Sequence, residues 1–206
     1  MSISSAPVTR RRRRSPDEAR AEALTAARRL LLSGGPNAVT LAAVAGEIGV
    51  THANLIHHFG SAAGLQSALM GRMVADLGEA LDAAVARLRT DRGAPMDLIN
   101  EVFDAFDSGG AGRLAAWIVL SGDLSHLEAV RTAVIGLVEA IRDTLGDEDG
   151  LARDRICSAV LFIALSAFGD ALIGPPLRGM LNQDETAARA VVAGLLPQFL
   201  VRGPGD

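Results

Sequence analysis

Lysine and tyrosine are missing from the 206-residue chain, and cysteine and tryptophan occur once each. Without lysine there is no Gly-Lys-Ser/Thr turn of the phosphate-binding kind, and all twenty basic residues are arginine. A lone Cys157 excludes an internal disulfide and suits a reducing compartment; its place in an apolar run makes core packing its expected role. Aromatics are only 3% of residues, so an interior must be filled by Ala, Leu, Val and Ile, a composition that favours packed helices. No apolar stretch follows the N-terminal basic residues, so no secretory signal is expected. The longest apolar run, Ile156 to Gly169, lies between Arg155 and Asp170 and falls short of the roughly 18 residues of a membrane span. The expectation is a cytoplasmic protein with no membrane partner. Also missing are a Gly-x-Ser-x-Gly elbow, paired metal ligands and a His near the Cys, so neither an enzyme nor a cofactor is expected.

What is present is unevenly spread. The net charge of −4 combines residues 1–60, with eight Arg against four acids, and residues 61–206, with twelve Arg against twenty acids. A basic head on an acidic body is the distribution expected of a nucleic-acid binder, because phosphate attracts the one and repels the other.

Residues 1–14 hold the run Arg10, Arg11, Arg12, Arg13, Arg14 and too few apolar residues to fold alone, which predicts a flexible basic arm. Ser15-Pro16-Asp17-Glu18 then reads as a capping box with Pro at the first helical position, opening a helix that Gly34-Gly35-Pro36 stops. Thr40 caps a short second helix carrying Leu41, Val44, Ala45 and Ile48 on one face, and Gly49 ends it. Thr51 starts a third, to about His58, and Ser61 a fourth, to about Leu88. Further helices are expected over Pro95–Asp107, Arg113–Ser121 and Leu127–Leu145, the last closed by an acidic loop at residues 147–150. The final two, Leu151–Leu172 and Glu185–Leu196, are expected to be joined by a turn at Gly174-Pro175-Pro176. No alternating strand pattern or internal repeat competes. The fold class is all-α with about nine helices: the arm at 1–14, a three-helix head at 15–60 and a larger helical body at 61–206.

Two short helices separated by a tight Gly-containing turn form a helix-turn-helix, whose second member enters a major groove. Here that helix would be held by Val50, Leu55 and Phe59 and would expose Thr51, His52, Asn54 and His57. Asn54 can pair bidentately with adenine, His52 or Thr51 can reach base edges or phosphates, and Thr40 is placed for a phosphate. Residues 39–65, with Thr40, the Gly49-Val50-Thr51 turn, Leu55, the His58-Phe59 pair and Leu65, resemble the helix-turn-helix of the TetR family of repressors. The resemblance implies double-stranded operator DNA as a partner; Ala53 and His58 join the residues above as interface candidates, with packing as the alternative for His58. It also implies a homodimer formed through the last two long helices and repression relieved by a small effector. Two positions depart from the family's habit, Ile56 where Tyr is usual and Ala62 where Lys is usual, each removing a DNA backbone contact. The Arg10–Arg14 arm is expected to compensate by reaching phosphates or an adjacent minor groove. The alternative left open by those departures is an interaction or ligand-sensing module of the same fold with weak or lost DNA binding.

Three of the four His lie at 52, 57 and 58, but a helical metal pair needs i, i+4 spacing and a third ligand, so no metal is expected. In the body, Ile156–Ala167 and the stripe Val191, Val192, Leu195, Leu196 and Phe199 fit a dimer interface or the monomer core. Phe103, Phe106, Trp117, Ser121 and His126 are the candidate lining of a pocket for a mostly apolar effector, packing in the core being the bland alternative for each.

Overall fold

The computed structural model describes residues 15–122, 127–146 and 152–201, without the side chains of residues 152 and 199–201. The Arg10–Arg14 arm, His126, the acidic loop and the Phe199 side chain fall outside these residues.

The capping box forms as its sequence requires: Glu18 N–H donates to Ser15 Oγ at 3.1 Å and Ser15 N–H to Glu18 Oε2 at 2.8 Å. Two orphan donors are thereby satisfied, and α1 runs Pro16–Gly34. A single 3-10 turn, Pro36–Ala38, leads to α2 (Leu41–Ile48), α3 (His52–Phe59) and the long α4 (Ala62–Arg87). The remaining helices are α5 (Ala94–Phe106), α6 (Ala111–Ser121), α7 (Glu128–Leu145), α8 (Ala152–Leu181) and α9 (Ala187–Val201). Nine α-helices and no strand occur among the described residues. The all-α expectation holds, with α6 starting two residues before Arg113.

Two apolar cores organise these helices. In the first, Ala23, Ala26, Ala27 and Leu31 of α1 meet Val44 and Ile48 of α2, Leu55 and Phe59 of α3, Leu65 and Leu69 of α4, and Leu114 and Ile118 of α6. The alanines of α1 bring the neighbouring helices close, and each fully buried Leu or Ile contributes about 1.5–3 kcal/mol by leaving water. Because α4 and α6 supply part of this core, the helix-turn-helix is welded to the start of the body. In the second, Ile99 and Phe103 of α5 pack on Ala159 and Ala167 of α8 and on Val192 and Leu196 of α9. Cys157, expected in the core, is half-buried.

The turn expected at Gly174-Pro175-Pro176 is not there: α8 runs through both prolines to Leu181. The rings leave the carbonyls of Ala171 and Leu172 without their helical donors. Along this stretch Arg178 is paired with Asp170, side chains only 16% and 12% exposed, across the proline pair. The helix ends later, at Asn182, whose φ of 52° turns the chain while Gln183 N–H donates to the Arg178 carbonyl at 2.9 Å. Residues 153–181 of α8 are long and apolar enough to cross a membrane by length and composition, although here α8 packs on α5, α6, α7 and α9.

Candidate nucleic-acid interface and adjoining cavity

The surface expected to meet DNA is built from three helix starts. Thr40 Oγ1 accepts from Ala43 N–H at 3.1 Å, Thr51 Oγ1 from Asn54 N–H at 3.3 Å and Ser61 Oγ from Gly64 N–H at 3.0 Å, capping α2, α3 and α4. Between α2 and α3 the chain reverses at Gly49, whose φ of +68° is strained for any residue with a Cβ, and Val50 N–H returns to the Ala45 carbonyl at 3.0 Å.

On α3, Leu55 and Phe59 are buried and Val50 packs on the same core, as the spacing predicted. Thr51, His52, Ala53, Asn54, Ile56 and His57 are exposed on the outer side, and His58 is half-buried, its ring edge-on to His57 at 5.7 Å. Thr40 is exposed too, a capping residue whose hydroxyl hydrogen stays free to donate. Ile56 is 44% exposed and Ala62 is exposed, so both substitutions of the family's usual residues lie on the surface.

Two anchors of this surface are invisible in sequence. Arg20 of α1 donates through Nη1 to the His58 carbonyl at 2.9 Å, and its guanidinium lies 4.7 Å from the centre of the Phe59 ring, tying the end of α3 to α1. Gln66 of α4, buried, donates from Nε2 to the Val39 carbonyl at 3.1 Å and fixes the approach to α2. The first pairing spans 38 residues and ends on a backbone oxygen, for which no side-chain pattern exists.

Between residues 30 and 71 the only formally charged side chain is Glu47, and Arg29 Nε donates to it at 2.7 Å. The outer face of α3 therefore offers hydrogen-bonding groups, among them imidazoles, with no fixed positive charge of its own. Among the described residues no cluster of His, Cys, Asp and Glu is grouped to hold a metal.

A cavity of about 520 Å³ lies between α4, α5, α7 and α8 and reaches Ala111 and Ala115 of α6 and Arg28 of α1. Its walls are chiefly aliphatic. Of the residues expected to line a pocket, Phe106 does so. Phe103 instead sits in the second core beneath the Arg189 guanidinium, 5.5 Å from its ring centre. Trp117 packs on the first core and donates its indole N–H to Asn37 Oδ1 at 3.2 Å, while Ser121 Oγ is taken up by the Ile118 carbonyl at 2.7 Å. The correction has a simple cause: an apolar stripe says that a helix is buried, not which neighbour buries it. The residues the sequence reading missed, Leu77, Leu81, Val102 and Leu137 among them, are plain aliphatics that carry no chemical signature.

Where α6 enters this region, Gly112 lets it cross α8 closely, since a Cβ there would lie 2.9 Å from both Ala171 Cβ and the Phe106 carbonyl oxygen. On the far side of α8 and α9 the expected stripes divide. Ile156, Ala159, Ala167, Val192 and Leu196 are buried, whereas Leu161, Leu165 and Val191 are about 60% exposed.

Residues 23–69 match the family described as bacterial regulatory proteins, tetR family. No curated protein sequence matches the chain. Among solved structures, a TetR-family transcriptional regulator from Pectobacterium atrosepticum superposes with a TM-score of 0.66 at 19% identity, covering 91% of this chain and 96% of that one. A putative tetR family transcription regulator from Shewanella sp. PV-4 gives 0.52 at 18% identity over 89% and 96% of the two chains. One from Mesorhizobium loti gives 0.52 at 15% identity over 91% and 98%. Residues 23–69 thus carry the helix-turn-helix segment of the TetR family, and the chain as a whole has the all-α fold of TetR-family transcriptional regulators.

Proposed function

We propose that the chain binds operator DNA as a homodimeric transcriptional regulator, a repressor released by a small, mostly apolar effector. One observation carries the reading: α3 holds Leu55 and Phe59 inward and turns Thr51, His52, Asn54 and His57 outward on a helix of two turns, the size and polarity that fit a major groove. In this reading Asn54 reads an adenine edge, Thr51 and His52 reach bases or phosphates, and the Thr40 hydroxyl donates to a phosphate. Ala53 allows close approach to the bases, and His57 and His58 flank the groove. Arg10–Arg14 supply the fixed positive charge that residues 30–71 do not.

The homodimer of this reading would form through α8 and α9. Leu161, Leu165 and Val191 expose apolar surface on these helices, and a second copy covering them would bring two α3 helices to two half-sites. The working units are then the arm (1–14), the head (15–60) and the body (61–206), with α4 joining the body to the core of the head. An effector would occupy the cavity between α4, α5, α7 and α8, and the same reading places the protein in the cytoplasm without enzymatic activity.

The experiment is a mobility shift with the protein's own upstream DNA at low and moderate salt, together with selection from a randomised site. A retarded complex in either supports the reading, and no complex in both overturns it. That negative result would favour the second reading, a sensing or interaction module of this fold, for which exposed Ile56 and Ala62 in place of backbone-contacting residues speak. Reporter expression in a deletion strain separates repression from activation.

A further inference from the structure

Among the described residues of the head, two large apolar side chains are exposed, Leu32 at 39% and Ile56 at 44%. Leu32 lies on α1 beside Gly110, where a Cβ would stand 3.0 Å from its Cδ2. Ile56 instead occupies the outer surface of α3, next to the groups assigned above to DNA. A single exposed apolar residue is ordinary on a protein surface, but this one stands where a groove would shut it off from water.

At about 100° per residue around α3, Leu55 and Phe59 lie inward, Ala53 and His57 lie outward, and Asn54 and Ile56 fall on opposite flanks, about 160° apart. Ala53 is three residues before Ile56, so their side chains adjoin and form a small apolar strip on an otherwise polar face. The strip is held in place: the Ile56 carbonyl accepts from Gly60 N–H at 2.7 Å, and Arg20 ties the same turn to α1. A β-branched side chain on a helix keeps essentially one χ1 rotamer, so Ile56 has little freedom left to lose in a contact.

No carboxylate lies between Glu47 and Asp76, so none from this stretch repels a phosphate, and no arginine lies between Arg29 and Arg72 to attract one. The contacts of α3 itself are therefore hydrogen bonds from Asn54, Thr51 and the imidazoles, and apolar contact from Ile56 and Ala53. Isoleucine gives a phosphate no hydrogen bond. In the major groove the base edges present chiefly polar acceptors and donors, and thymine alone adds a C5 methyl group. Laid on a polar edge, an aliphatic side chain strips its water and returns no hydrogen bond; laid on the methyl group, it removes apolar surface from water on both sides.

We propose that Ile56, backed by Ala53, reads the C5 methyl group of a thymine, at a base pair other than the one met by Asn54. This rests on the reading of α3 as the helix that enters the groove. It makes the side chain at position 56 a source of sequence preference and gives each half-site of the operator a T·A pair on the flank of α3 away from Asn54.

The test uses the full-length protein and a duplex recovered by selection from a randomised site, with each thymine in turn replaced by deoxyuridine. That exchange deletes the methyl group and leaves the hydrogen-bonding atoms of the base in place. Anisotropy titrations should find at least one thymine per half-site at which uracil weakens binding about fourfold, the size of one methyl group's transfer from water. In Ile56→Ala the thymine-to-uracil ratio of affinities at that position should fall to about one, while Ile56→Val should keep part of it and Asn54→Ala should leave it about fourfold. Each ratio compares two duplexes on one protein preparation, so partial unfolding of a variant cancels. A duplex with no thymine sensitive to the exchange, or a sensitivity that persists undiminished in Ile56→Ala, would overturn the proposal and leave the regulator reading in place. A selection that yields no bound duplex would overturn both.

Discussion

Arg20 and His58 are joined across the head: the arginine's Nη1 donates to the histidine's carbonyl oxygen at 2.9 Å. This closes the C-terminal turn of α3, where backbone carbonyls have no helical partner of their own. Arg20→Ala should cost about 1 kcal/mol of stability, the usual net contribution of such a bond, read as a lower urea midpoint with an unchanged slope. It should also weaken DNA binding, since the helix end it holds would fray, whereas Arg20→Lys should recover part of each effect. An Arg20→Ala protein with both properties intact would remove the anchor.

The exposed face of α3 should act on DNA and not on folding. Asn54→Ala is expected to cost about 1–3 kcal/mol of DNA binding and to relax the preference at one base pair. Its melting temperature should stay within a degree or two. Leu55→Ala provides the contrast, because emptying a fully buried site should cost about 2–5 kcal/mol and unfold the head.

Removing residues 1–14 deletes five arginines and no described packing. The slope of log K against log salt should become shallower by about 0.9 for every phosphate the arm neutralises. Fluorescence anisotropy from 50 to 300 mM salt measures this, and an unchanged slope would show that the arm stays off the DNA.

Leu165→Glu places a charge on the exposed face of α8 and leaves the core beneath it intact. Light scattering after size exclusion should report half the mass of the parent protein, with the helical circular dichroism preserved. A variant that keeps the parent's mass would move the interface elsewhere.

Asp184 stands just before α9, accepting from the Thr186 hydroxyl at 2.6 Å and the Thr186 N–H at 2.8 Å, and these bonds hold its carboxyl below the ordinary carboxylate value. A depressed folded value means that its stabilising contribution is complete above the unfolded value and is lost as pH falls through the folded one. Amide protection in the first turn of α9, the exchange rate corrected for its intrinsic pH dependence, should therefore fall at the acid end of a titration, and Asp184→Ala should show the lower protection at every pH.

The sequence was readable wherever one local rule decided the outcome. Ser15, Thr40, Thr51 and Ser61 each announced a helix start because a cap acts within three residues, and Gly49 announced the turn because only its backbone takes that angle cheaply. Reading failed where local and tertiary preferences disagreed. Pro175 and Pro176 signal a break, yet α8 continues past them, bridged by the Arg178–Asp170 pair. It failed again for the cavity, where Trp117 drew attention by its size while the head absorbed it, and the walls fell to aliphatic residues with nothing to mark them.

That proline pair gives α8 two mechanical regimes. Up to Ile173 the rod is stiffened by main-chain bonding turn after turn, but its last two turns hang on a weakened hinge braced by a single charged strut between Asp170 and Arg178. Loss of either side chain would remove the strut without melting the rod, whereas salt would screen so buried a pair little. Leu177, Met180 and Leu181, exposed on these turns, would then move together, an apolar end turning about the proline pair while the rest of α8 stays held by its packing.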